Sequence, residues 1–152
     1  MKNVININNN IVHKTNTRSK LHYLTERDTL LILQNNYVDY FSVNYYPFPK
    51  IVSYNNDKLI LTLSFCGDSL DNLSVINVDN KELYIKNILL NIKNNNINYT
   101  DLRESNICIM DNKIYLIDFE NVVLNEQFNY ISNYHHFNFI TDKKTGETSL
   151  TG

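Results

Sequence analysis

A chain of 152 residues with 43% hydrophobic and 12% aromatic content can fill one core but not two independent ones, so a single unit is expected. A net charge of -2 gives no broad attraction to nucleic acid or anionic membrane, and two cysteines outside any C-x-x-C spacing, Cys66 and Cys108, indicate neither a zinc site nor a disulfide framework. The opening MKNVININNN lacks the apolar stretch of a signal peptide and no apolar run approaches the roughly 18 residues of a membrane span, so a cytoplasmic protein is expected.

The 27 asparagines stand beside only three glycines, two prolines and no tryptophan. They are scattered among apolar periodic segments rather than gathered in a polar tract, which fits the codon bias of an AT-rich genome, such as that of a large DNA virus or a parasite, better than a prion-like role. The scarcity of glycine limits which phosphate-cradling loops can exist.

In chain order, Val4 to Ile7 and Ile11 to Thr15 are β-branched runs separated by Asn8-Asn9-Asn10, which predicts a hairpin because asparagine tolerates positive φ. A polar turn, Asn16 to Lys20, leads to Thr25-Glu26-Arg27-Asp28, a capping-box pattern ahead of Leu30, Leu31 and Leu33, which predicts a helix from about Glu26 to Asn35. Phe48 to Val52 and Leu59 to Leu63 bracket Asn55-Asn56-Asp57 as a second hairpin with a central later strand, and Gly67 breaks that strand. Ile85, Ile88, Leu89 and Ile92 give a helical period from Asp79, with Glu82 placed for a capping box, as far as Asn94-Asn95-Asn96. Strands Ile107 to Met110 and Ile114 to Ile117 follow around Asp111-Asn112, then an irregular Tyr- and Asn-rich stretch to Ile140 and a tail.

The chemistry lies in Tyr99-Thr-Asp101-Leu-Arg103-Glu-Ser-Asn106 and, after one hairpin, Tyr115-Leu-Ile-Asp118-Phe-Glu120. In the protein-kinase motif that this segment resembles, an irregular loop aims the aspartate matching Asp101 at an incoming hydroxyl while the asparagine matching Asn106 offers an amide oxygen to a divalent cation, and a hairpin returns the chain so that the aspartate matching Asp118 meets the same ion. This D-x-x-x-x-N pattern followed by an apolar strand ending in I-D-F resembles the catalytic loop and metal-binding motif of protein kinases and their small-molecule-kinase relatives. Tyr99 stands where that family usually has histidine, Arg103 where many members carry a phosphate-contacting lysine, and Glu120 where protein kinases have the glycine of D-F-G. The I-D-F-E form is similar to choline-kinase-type enzymes.

The resemblance implies a strand lysine gripping ATP phosphates and a helix glutamate holding it, an order supplied by Lys14 and Glu26, with Lys20 as the alternative lysine. Glu26, Leu30 and Leu33 share one helical face, which turns the carboxylate inward. The segment Leu61 to Leu70 resembles a kinase hinge, with backbone groups around Ser64 to Cys66 on the adenine edge and Asp68 toward the ribose. The glycine-rich loop of the family has no counterpart ahead of Lys14, and no A-P-E-like motif follows Asp118.

The fold implied is α+β and kinase-like: a small antiparallel sheet with one helix over about residues 1–66, a strongly reduced second lobe over 67–140, and a flexible tail over 141–152. The activity implied is transfer of the ATP γ-phosphate to a hydroxyl, with Asp101 and Arg103 catalytic, Lys14, Glu26, Ser64, Cys66 and Asp68 on ATP, and Asn106 and Asp118 on Mg²⁺ or Mn²⁺. The acceptor is a protein side chain or, as the alternative, a small molecule; a catalytically weak nucleotide- or protein-binding module is the rival from another class. Nucleic acid and membrane are not expected as partners, whereas a protein partner or a second copy could cover the reduced lobe. His135-His136 suit surface or packing roles better than metal binding, and Tyr130, Tyr134, Phe137 and Phe139 are expected to cover the open side of the sheet or to form a partner surface.

Overall fold

The computed structural model describes residues 3–130, except 75 and 77, together with residue 133. The residues expected as a histidine pair (His135, His136), the aromatic residues Tyr134, Phe137 and Phe139, and the tail lie outside the described residues.

The first hairpin forms as its sequence dictates: β1 (Val4–Asn8) and β2 (Ile11–Thr15) pair antiparallel, Asn8 opposite Ile11. Asn9 and Asn10 turn the chain at φ values of 53° and 63°, the left-handed conformation that asparagine accepts more readily than other non-glycine residues. The second hairpin pairs β3 (Ile51–Asn55) with β4 (Ile60–Ser64), and β4 also pairs with β2. The sheet order is β1-β2-β4-β3, so the apolar β4 is central, as its composition predicts.

Between the hairpins runs α1 (Lys20–Asn36), which starts earlier than its sequence suggests. Ser19, not Thr25, is the N-cap, its hydroxyl accepting from the His22 N–H. Thr25 lies inside the helix, where its carbonyl accepts from the Thr29 hydroxyl, and Asp28 pairs with Arg27 instead of closing a capping box. The inward stripe is Tyr23, Glu26, Leu30 and Leu33, all buried. Each of the two leucines contributes about 1.5–3 kcal/mol through burial, which is what allows a carboxylate to be carried inward beside them.

Gly67 separates β4 from a second group of elements: β5 (Asp68–Ser69), a single 3-10 turn (Leu70–Asn72), α2 (Lys81–Asn94), β6 (Ile97–Asn98), a further 3-10 turn (Glu104–Asn106), β7 (Ile107–Met110), β8 (Lys113–Leu116) and β9 (Val123–Leu124). Order β5-β7-β8 makes a second antiparallel sheet, and β6 with β9 a third. Asp111 and Asn112, at φ 51° and 63°, close the β7–β8 hairpin where the sequence places it. The expected capping box of α2 is absent, because Asn80 adopts a left-handed conformation in which its side chain makes no cap bond. Ile85, Ile88, Leu89 and Ile92 are buried as their period predicts. The architecture is therefore mixed α+β, with small antiparallel sheets and two helices among the described residues, and no described helix is long and apolar enough to cross a membrane.

Residues 37–50 tie the two groups together. Buried Asn91 accepts from the Val38 N–H and donates to its carbonyl, Asn87 accepts from the Tyr40 N–H, and Pro47 O accepts from the Leu116 N–H. Phe48 meets Phe119 edge-on at 5.7 Å, joining the cores on either side. Tyr130 packs against that core near Lys93, whose Nζ lies 6.0 Å from its ring centre.

Candidate active site

A cavity of about 640 Å³ opens between the first sheet and the second group of elements, within the size range of small-ligand sites. Ile5, Ile7, Val12 and Leu63 supply apolar wall from the first sheet, Ser64 to Ser69 the connecting edge, and Asn106, Cys108, Ile117 and Asp118 the wall from the second group. Seven of the nine sequence-predicted residues line it: Lys14, Glu26, Ser64, Cys66, Asp68, Asn106 and Asp118. Asp101 and Arg103 do not, but Asp101 is one hydrogen bond away, because the Asn106 side-chain amide donates to its carbonyl at 2.9 Å and its carboxylate at 3.2 Å.

Lys14 reaches the site because β2 places it on the inward face between partners in β1 and β4. Its ammonium lies 2.7 Å from Glu26, 3.3 Å from Asp118 and 3.8 Å from Glu120. Burial alone would lower its pKa, yet the field of Glu26, then Asp118 and Glu120, outweighs that and raises it, so Lys14 stays charged. The other Glu26 oxygen accepts the Phe119 N–H at 2.8 Å, which pins the I-D-F-E segment to α1. Burial, with Asp118 beside it, holds the Glu26 carboxyl above its usual range although Lys14 pulls it down, and an ammonium on one oxygen with an N–H on the other favours the carboxylate form. Lys20, the alternative lysine, lies exposed at the start of α1.

Glu26, Asp118 and Glu120 each offer an oxygen within 4.8 Å of the others, a spacing that a metal could use. The Lys14 ammonium already stands among those oxygens, so the trio is a carboxylate cage for a lysine. Asp118 differs from the other two: its side chain is 25% exposed, and its backbone at φ 65° turns it at the strand end into the cavity wall. The amide oxygen of Asn106 and the carboxylate of Asp118 make a hard oxygen donor set that suits Mg²⁺ or Mn²⁺ better than a soft metal.

Tyr99 is buried and donates its hydroxyl to the Ile117 carbonyl at 2.6 Å, with its ring 5.1 Å from that of Phe119. Burial first, then Asp118, Asp101 and Glu26, push its pKa well above the usual tyrosine range, so it remains a donor. It braces the backbone ahead of Asp118. At the connecting edge, the Ser64 and Phe65 N–H groups are spent on Lys50 O and Asn10 O, whereas the Cys66 N–H has no partner among the described residues. Burial, and then proximity to Cys108, push the Cys66 thiol up to about 12, and burial with Asp68 and Asp71 does the same to Cys108. Both are neutral wall groups at physiological pH, not nucleophiles.

Arg103 lies on the same loop as Asp101. Its guanidinium is 65% exposed and lies on Asp101, Nε to Oδ1 at 3.1 Å and a second N–H to Oδ2 at 3.2 Å, outside the cavity lining. Glu120, which in the sequence departs from D-F-G and gives the I-D-F-E form, is buried and accepts from Asn3 at 2.7 Å, Asn16 at 3.1 Å and Arg18 at 3.0 Å. These donors and Lys14 outweigh its burial and lower its pKa. Asn3, Asn16 and Arg18 carried no signal in the sequence, because their spacing from Glu120 exceeds 100 residues and belongs to no periodic pattern. Comparison with protein-family models and with curated proteins finds no match to this chain.

Proposed function

We propose that this chain is an ATP- and Mg²⁺-dependent phosphotransferase of kinase-like fold that moves the γ-phosphate to a hydroxyl, most simply that of a protein Ser or Thr. The observation that carries the reading is the meeting of Lys14, Glu26 and Asp118, whose Lys14–Asp118 contact spans 104 residues, on a cavity that also holds Asn106 and the Ser64–Asp68 edge. A strand lysine held by a helix glutamate beside a strand-end aspartate and a loop asparagine is the set that phosphoryl transfer requires for positioning and charge neutralisation.

Lys14, fixed by Glu26, binds phosphate oxygens, and the Cys66 N–H with the apolar wall of Val12 and Leu63 suits a flat heteroaromatic base. Asn106 and Asp118 would hold Mg²⁺ or Mn²⁺, which supplies neutralisation of phosphate charge. Asp101 accepts the proton of the acceptor hydroxyl as that oxygen bonds to the γ-phosphorus and the bond to ADP breaks. For this, Arg103 must release the Asp101 carboxylate, a small cost for an exposed pair worth about 0.2–1 kcal/mol. Glu120 favours a second acceptor class, a small-molecule hydroxyl, since it preserves the I-D-F-E form.

Transfer of label from γ-labelled ATP to generic proteins and to small alcohols, beside Asp118→Ala and Asp101→Asn variants, tests this. Label incorporation that falls at least about 100-fold in both variants is expected, two or more decades being typical for loss of a positioned base or charge-stabilising group. Incorporation that persists in Asp118→Ala would overturn the metal assignment. Absence of transfer with retained Mg-ATP binding would make the chain a nucleotide-binding module.

A further inference from the structure

The end of the cavity that holds Lys14 carries a second cation. Arg18 lies in the segment between β2 and α1, lines the same cavity as Lys14 and is 40% exposed. Its place is built, not incidental. Asn16 is buried and accepts the Arg18 and Ser19 N–H groups at 2.9 and 3.2 Å while donating to Glu120 at 3.1 Å. Asn3 accepts the Thr17 N–H at 3.3 Å and donates to the same Glu120 oxygen at 2.7 Å. Glu120 in turn takes one N–H of the Arg18 guanidinium at 3.0 Å. A guanidinium has five N–H donors, so most of the fork remains for another ligand.

Charge sets a condition on the ligand: an anion held here has to be met by the free cationic donors or arrive with a divalent cation. Lys14 and Arg18 face three carboxylates, Glu26, Asp118 and Glu120, leaving one net negative charge at this end. Without Arg18 the deficit would double, opposing a polyphosphate. Residues 1–13 contain no glycine, so they offer no glycine-lined run of backbone N–H groups to cradle phosphate. Arg103, the other candidate cation, is committed to Asp101 outside the lining.

We propose that Arg18, positioned by Glu120 and Asn16, is a phosphate-binding residue that holds the terminal phosphates of a nucleoside di- or triphosphate in this cavity. The proposal rests on the phosphotransferase reading above and deepens it by giving the site a second phosphate clamp. It makes Glu120 a positioning residue: its carboxylate fixes the fork and touches no ligand.

The test is calorimetric titration of the full chain with Mg-ATP, Mg-ADP and adenosine, for the wild type, Arg18→Ala, Arg18→Lys and Glu120→Gln. Loss of one charge-assisted contact predicts that Arg18→Ala binds Mg-ATP about tenfold more weakly while adenosine changes less than about twofold. Arg18→Lys should recover part of the loss, since it restores charge but not the fork. Glu120→Gln should weaken the nucleotides and spare adenosine. Melting of each variant without ligand reports any loss of fold, and the adenosine affinity of the same sample serves as the internal control. Unchanged Mg-ATP affinity in Arg18→Ala, or an equal loss for adenosine, would overturn the proposal and leave the phosphotransferase reading standing. A wild type that binds neither Mg-ATP nor adenosine would overturn both.

Discussion

Around Lys14, three carboxylates compete for one ammonium, and removal of different members has unequal consequences. Lys14→Met leaves Glu26, Asp118 and Glu120 facing each other within a few ångströms, whereas Glu26→Gln leaves the ammonium with Asp118 and Glu120. Breaking a buried pair from the lysine side should therefore cost about 3–5 kcal/mol, and from the Glu26 side, where the ammonium keeps two carboxylates, about 1.5–3 kcal/mol for the lost charged hydrogen bond. Urea unfolding at pH 7 measures both, and equal penalties would contradict the caged-lysine description. Glu120 adds a pH dependence whose sign follows from its lowered pKa. A carboxyl depressed on folding contributes stability that is fully present above its ordinary value of 4.5 and is lost as the pH falls through its folded value. The stability penalty of Glu120→Gln in urea should thus be largest near pH 7 and shrink toward pH 3; a penalty constant over that window would show that its hydrogen bonds, not its charge, matter. That Asp101 and Asn106 share one loop and that Asp118 follows a strand end were legible in the sequence, because loop spacing and strand endings are local. Arg18 and Asn16 were not, because a polar turn looks alike whether it faces solvent or a buried glutamate.

Elements repeat the lesson with different physics. Among the described residues, seven of the eleven non-glycine residues at positive φ are asparagines, so there asparagine closes most of the turns that other chains give to glycine. That is why both hairpin turns at Asn9-Asn10 and Asp111-Asn112 could be read from residue type, although the composition alone looked like codon bias. The start of α1 misled for a local reason: Thr25-Glu26-Arg27-Asp28 imitates a capping box, while the true cap, Ser19, precedes a Lys-Leu-His run without an acidic partner. Two-residue strands such as β6 and β9 are too short to show any period. Among the described residues, Gly67 sits where a side chain is strongly disfavoured. Its φ is 98°, and a Cβ there would lie 2.2 Å from the Ile109 carbonyl oxygen and 2.6 Å from the Met110 Cβ. Gly67→Ala should cost roughly 2–4 kcal/mol, combining strain at positive φ with overpacking. Thermal melting of that variant checks it; a loss below about 0.5 kcal/mol, the scatter of ordinary surface changes, would mean that the β4–β5 connection can give way.

At the scale of the molecule, the cavity exists because two sheet-and-helix groups are held together along residues 37–50 and by the Glu26 bond to the Phe119 N–H, with the connecting edge at Ser64 to Ser69 between them. The α+β class and the meeting of Lys14, Glu26, Asn106 and Asp118 were expected from sequence; the tying of 37–50 by buried Asn87 and Asn91 was not, since nothing local distinguishes a buried asparagine from the other 25. The central claim is that this cavity takes a magnesium-bound nucleotide through Lys14 and Asp118, and the melting temperature with and without Mg-ATP tests it most directly. Ligand at 100 times its dissociation constant stabilises by about 2.7 kcal/mol, a rise of roughly 5–10 °C for a chain of this size. The account predicts that rise for the wild type, a smaller one with ATP and EDTA, and none for a Lys14→Met, Asp118→Ala double variant that is still folded at the starting temperature. An unchanged wild-type melting temperature at millimolar Mg-ATP, or an equal rise in the folded double variant, would contradict it.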